Sequence, residues 1–66
     1  MNITLNGDPY ELVDGSTAQR LIEQLDLVGK RLAMEINQEI VPRSTFEEHQ
    51  LQANDHVEIV HAIGGG

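Results

Sequence analysis

Met1, Ile3 and Leu5 alternate with Asn2 and Thr4, and a period of two predicts a strand with one buried face. Asn6-Gly7-Asp8-Pro9 follows as a turn, since Asn-Gly is the strongest short hairpin cue. Tyr10-Glu11-Leu12 returns, which completes an N-terminal hairpin. Asp14-Gly15 breaks the strand, and Ser16 with Gln19 fits the S-x-x-Q capping box. Ala18, Leu21, Ile22 and Leu25 then fall at i, i+3, i+4 and i+7, the apolar stripe of a helix. Arg20, Glu23 and Gln24 occupy its solvated face. The helix is expected over 17–26, roughly 15 Å long at 1.5 Å per residue. Gly29 is expected to end a short Leu27-Val28 extension.

The period returns to two at Leu32, Met34 and Ile36. Asn37-Gln38 fits a tight turn because asparagine tolerates positive φ, although glutamine suits the second position poorly. Glu39-Ile40-Val41 runs back, and Pro42 stops it because proline cannot donate to a ladder. Ser44 to Glu48 reads as one helical turn, with Ser44 as its cap and Phe46 as its apolar anchor. Leu51 re-enters the core, Ala53-Asn54-Asp55 turns, and Val57 to His61 forms the last strand. The predicted class is α+β, with element order β-β-α-β-β-(short helical turn)-β. A mixed sheet of four to five strands wraps over one helix, and the first and last strands run parallel at its centre. That is a β-grasp arrangement. Residues 1–62 make one domain, and 63–66 form a flexible glycine tail.

A chain of 66 residues has a core worth only about 3–5 kcal/mol, and many proteins of this size add disulfides or a metal. There is no cysteine, so disulfides, thiolate zinc sites and cysteine-ligated clusters are excluded. The usual side-chain nucleophile and persulfide carrier are missing too. Any sulfur handled here must sit elsewhere. Four basic residues against eleven acidic ones give a net charge of −7. That balance repels a phosphate backbone and argues against nucleic acid. It favours a protein partner with a basic face, although acidity also serves solubility alone. No run is long enough for a membrane span and no signal-peptide layout is present, so a cytoplasmic protein is expected.

Side chains offer little for catalysis. His49, His56 and His61 lack the spacing that would set two metal ligands on one face, so no metal site is expected. Glu47 and Glu48 are neighbours that diverge as solvated charge. Ser16 and Ser44 occupy cap positions, and Gly7, Gly15 and Gly29 are isolated turn glycines that cannot cradle a phosphate. The informative stretch is Val60-His61-Ala62-Ile63-Gly64-Gly65-Gly66. A strand running into glycines presents the α-carboxylate of Gly66 on a narrow leash, because residues without Cβ fit a channel that others cannot enter. Three extended residues reach roughly 10 Å. Glycines at a chain end are also common filler. Val57 and Ile59 share the core face of the last strand, while Val60 and Ala62 share the other. There they would either form a docking patch that orients the tail or lie under a covering layer.

The chain as a whole resembles the ThiS family, the sulfur carriers of thiamine biosynthesis. The resemblance rests on Met1-Asn2-Ile3-Thr4-Leu5-Asn6-Gly7, Thr17-Ala18-Gln19-Arg20-Leu21-Ile22, Asn37-Gln38-Glu39-Ile40-Val41-Pro42-Arg43 and Asp55-His56-Val57-Glu58-Ile59-Val60 before the glycines. Two departures are Asn37-Gln38, where many relatives have Asn-Gly, and the third glycine, Gly64. The resemblance implies a ubiquitin-like fold and a protein co-substrate that is not itself an enzyme. It implies that a ThiF-like adenylyltransferase, using ATP and Mg²⁺, activates the Gly66 carboxylate. Sulfur from a cysteine-desulfurase-linked donor would then give a thiocarboxylate, and a ThiG-like thiazole synthase would receive the sulfur. Ile63, Gly64, Gly65 and Gly66 are the partner-binding tail in that scheme, and no cofactor is bound by the chain itself. Two alternatives stand beside it. One is the small subunit of a molybdopterin synthase, a family that also ends in Gly-Gly. The other is a non-covalent β-grasp binding module with an idle tail.

Overall fold

Two asparagines set the corners of the fold, which is described here for residues 1–61 from a computed structural model. Asn6 and Gly7 both take positive φ, 49° and 88°, as a two-residue type I′ hairpin turn requires. They join β1 (Asn2–Leu5) to β2 (Asp8–Glu11). Asn37 and Gln38 repeat the device at φ 53° and 72°, between β3 (Leu32–Ile36) and β4 (Glu39–Val41). The returning strand β2 starts at Asp8 and not at Tyr10 as expected, so Pro9 lies within it, opposite Thr4. Proline is tolerated there because β2 is an edge strand.

The five strands form one sheet in the order β2-β1-β5-β3-β4, with β5 spanning His56–His61. β1 and β5 run parallel, and β3 runs antiparallel to β5. The last strand therefore lies at the centre, between the two hairpins, as the β-grasp expectation has it.

The helix α1 covers Ala18–Gln24, shorter than expected, and its cap lies one residue later than the sequence suggested. Thr17 is the N-cap, and its side chain accepts the Arg20 amide at 3.2 Å. Ser16 is drawn inward instead. Its hydroxyl donates to the Val13 carbonyl at 2.6 Å, and its own carbonyl accepts the Leu51 amide at 2.9 Å. The helix stops at Asp26, which takes φ 59°, before Gly29 is reached. Leu27 N–H donates to the Ile22 carbonyl and Asp26 N–H to the Glu23 carbonyl, the paired bonds of a Schellman ending. That ending turns Leu27 back against the core.

Leu21 and Ile22 of the helix pack on Ile3, Met34, Val57 and Ile59 of the sheet. Phe46 plugs the open end and is buried. It follows a 3-10 turn, Arg43–Thr45, that begins after Pro42, and Ser44 does not cap it. The side chain closing that turn belongs to Thr45, whose hydroxyl donates to the Pro42 carbonyl at 2.8 Å.

Candidate functional site

β5 carries the chain toward the glycines, and the structure fixes it at two points with side chains from the hairpin turns. The β1–β5 ladder pairs Thr4 with His56 and Leu5 with Val57, and the Asn6 amide still reaches the Val57 carbonyl at 2.9 Å. Beyond that point the Asn6 side chain takes over as a neighbouring strand. Its Oδ1 accepts the Ile59 amide at 2.8 Å, and its Nδ2 donates to the Ile59 carbonyl at 3.3 Å.

Asn37 holds the other end of the strand. Its Oδ1 accepts the His56 amide at 3.0 Å, and its own N–H donates to the His56 carbonyl at 2.8 Å. Its Nδ2 donates to Asp55 Oδ1 at 3.0 Å. Asp55 is buried, and its second carboxylate oxygen accepts the Gln52 amide at 2.8 Å. Sequence reading took Asn6 and Asn37 only as turn residues. Their long-range bonds cross 53 and 19 positions, a distance no local pattern reports.

The sheet has two faces because side chains alternate along each strand. Val57 and Ile59 point into the core, as expected, while His56, Glu58 and Val60 are exposed. Val60 retains 59% of its surface and stands opposite Ala33 of β3, itself exposed. One row further back, Glu58 is opposite Glu35, and Glu35 is opposite Ile40, which is 65% exposed. Of the expected docking pair, Val60 lies open on the outer face. Ala62, Ile63, Gly64, Gly65 and Gly66 lie outside the described residues.

Among the described residues, no group of three or more His, Cys, Asp or Glu could hold a metal ion. His49 follows the 3-10 turn, while His56 and His61 stand at opposite ends of β5. Glu47 and Glu48 are both exposed. What the described chain offers is a hydrogen-bonded central strand with a partly apolar face beside it.

The ThiS family model matches residues 3–66. The chain belongs to the ThiS family. It is 36% identical to the sulfur carrier protein ThiS of Escherichia coli K12 over 66 residues, covering all of both chains. It is 39% identical over 66 residues to a thiazole synthase of Magnetococcus marinus, and it spans only 20% of that protein's length. The crystal structure of a thiamine biosynthesis protein (ThiS) from Geobacter metallireducens superposes with a TM-score of 0.86 at 28% identity, over the whole of both chains. The β-grasp topology read from the strand periods is thus the topology of the family.

Proposed function

We propose that this chain is a sulfur carrier of thiamine biosynthesis, a protein co-substrate that works through the Gly66 carboxylate and delivers sulfur to a thiazole synthase. The observation that carries the reading is membership of the ThiS family across residues 3–66, together with full-length similarity to the E. coli sulfur carrier. Two thiazole synthases, from M. marinus and Paramagnetospirillum magneticum, each contain a segment similar to the entire chain that makes up one-fifth of their length. That supports a thiazole synthase, rather than a molybdopterin synthase, as the acceptor.

A carboxylate is a poor electrophile, so sulfur can replace its oxygen only after activation. A ThiF-like adenylyltransferase with ATP and Mg²⁺ would form an acyl adenylate on Gly66 and release pyrophosphate. A persulfide supplied through a cysteine desulfurase then displaces AMP to give an acyl disulfide, and a second thiol attacks its outer sulfur, forms a new disulfide and releases the thiocarboxylate. The resulting thiocarboxylate carries sulfur with no cysteine side chain, which fits a sequence that has none. The body contributes presentation: β5, which leads toward Gly66 in the sequence, is bonded to β3 along its length and to β1 at its start.

Intact mass after incubation with the adenylating enzyme, ATP and a sulfur source tests this. The expected result is the mass gain of one sulfur-for-oxygen exchange, abolished when Gly66 is deleted. Full loading of the deletion variant would overturn the reading. An idle-tail binding module predicts instead that removal of Gly64 to Gly66 changes no partner interaction.

A further inference from the structure

Asn6-Gly7 is the one place in the sequence where asparagine precedes glycine, since Asn2, Asn37 and Asn54 precede Ile3, Gln38 and Asp55. The backbone nitrogen of the following residue can attack an asparagine side chain at Cγ, and a glycine there has no Cβ to obstruct the approach. Asn6 and Gly7 are both exposed. No atom outside the chain neighbours comes within 4 Å of where a Gly7 Cβ would stand. The Asn6 carboxamide is nevertheless engaged elsewhere. Its Oδ1 accepts the Ile59 amide at 2.8 Å, and its Nδ2 donates to the Ile59 carbonyl at 3.3 Å. Ring closure on Gly7 swings that carboxamide over its own backbone, so both bonds to Ile59 must open first.

We infer that Asn6 is a site of spontaneous, irreversible modification to aspartate or isoaspartate through a succinimide, and that the hold of its side chain on Ile59 sets the rate. The Gly7 nitrogen bonds to Asn6 Cγ and loses its proton, and Nδ2 leaves as ammonia. Water then adds to one carbonyl of the ring and breaks its bond to that nitrogen. Breaking the bond at Cγ restores the main chain and leaves aspartate. Breaking the bond at the backbone carbonyl carbon leaves isoaspartate, whose main chain runs through the side chain and is one methylene longer. Neither product can hold Ile59 as asparagine does. An ionised aspartate accepts but cannot donate, so the Ile59 carbonyl loses its donor and faces an oxygen. Isoaspartate lengthens a turn whose φ angles, 49° and 88°, belong to a two-residue connection. Either change loosens β5 from the β1 side, two residues before the strand ends at His61. It does so whether or not the chain carries sulfur.

The test incubates the intact chain in mildly alkaline buffer, native and in urea, separates the acidic products by ion exchange and locates them by peptide mass mapping. The native chain should convert at Asn6 ahead of Asn2, Asn37 and Asn54, yet roughly tenfold or more slowly than in urea. Hydrogen exchange of the Ile59 amide, whose acceptor is Asn6 Oδ1, should be slowed on folding by the same factor to within about threefold. The N6D variant, which mimics one product, should exchange that amide roughly fivefold faster than wild type, the effect of losing one net hydrogen bond. No conversion of Asn6 in the native chain, or conversion of another asparagine at the same rate, overturns the site. A smaller slowdown than that, or one that departs from the protection of Ile59, overturns control by the Ile59 bonds. Wild-type exchange in N6D overturns the loosening of β5.

Discussion

The side chain of Asn6 brackets the backbone of Ile59, accepting its amide at 2.8 Å and donating to its carbonyl at 3.3 Å. A turn residue of the first hairpin thereby extends the pairing of the last strand beyond the point where β1 ends. Replacing Asn6 by glycine keeps the positive φ of 49° accessible and removes this bracket, while adding glycine's freedom in the unfolded chain. The Asn6→Gly variant should lose about 1–3 kcal/mol, because the Ile59 groups lose their partners where the residue is buried. At roughly 4–8 °C per kcal/mol for a domain of this size, thermal melting would register it. An unchanged melting temperature would mean that water replaces the amide at no cost.

Gln38 carries the opposite expectation. It sits at φ 72°, where a side chain with Cβ costs roughly 1–2 kcal/mol. Glycine removes that strain but gains freedom in the unfolded chain. The Gln38→Gly variant should be more stable by about 0.5–1 kcal/mol, seen as a shifted denaturant midpoint with an unchanged slope. A lower midpoint would show that the glutamine side chain contributes something its position does not reveal.

Asp55 joins the second turn to β5 by accepting from Asn37 Nδ2 and the Gln52 amide. Asp55→Ala should cost about 1–3 kcal/mol by stranding both donors, and Asp55→Asn, which retains an acceptor oxygen, should cost less. Chemical denaturation of the pair ranks them. Equal losses would point to the charge, not the hydrogen bonds, as the source.

Val60 is mostly exposed, so Val60→Ser should change stability by no more than about 0.5 kcal/mol. On the carrier reading proposed above, its effect is expected in partner binding. A melting temperature near wild type with weakened binding to the thiazole synthase is the expected combination. A large drop in melting temperature would place Val60 in the core instead.

The strand periods, the helix stripe and the parallel pairing of first and last strands were legible because each follows from burial on one face. The errors cluster where two local solutions compete. Ser16 and Thr17 can both cap a helix, and the choice went to Thr17 because Ser16 is bonded by Val13 and Leu51, one of which lies 35 positions away. Asp26 ended the helix before Gly29 could, since an aspartate can also take the left-handed conformation. Val60 could be assigned to the outer face from the alternation, but its exposure depended on nothing covering the sheet. The Glu35–Glu58 opposition was hidden for another reason. It exists only once the register of β3 on β5 is known, and neither glutamate stands out along the chain.

β5 has hydrogen-bonded neighbours along both edges. Force along the axis of β5 therefore loads its long ladder with β3 and its shorter ladder with β1 in shear. Bonds arranged that way must yield together, not one after another as they would in a hairpin peeled from its end. A pull along β5 is therefore shared by β3 over the length of the strand and by β1 at its start, and neither neighbour carries it alone.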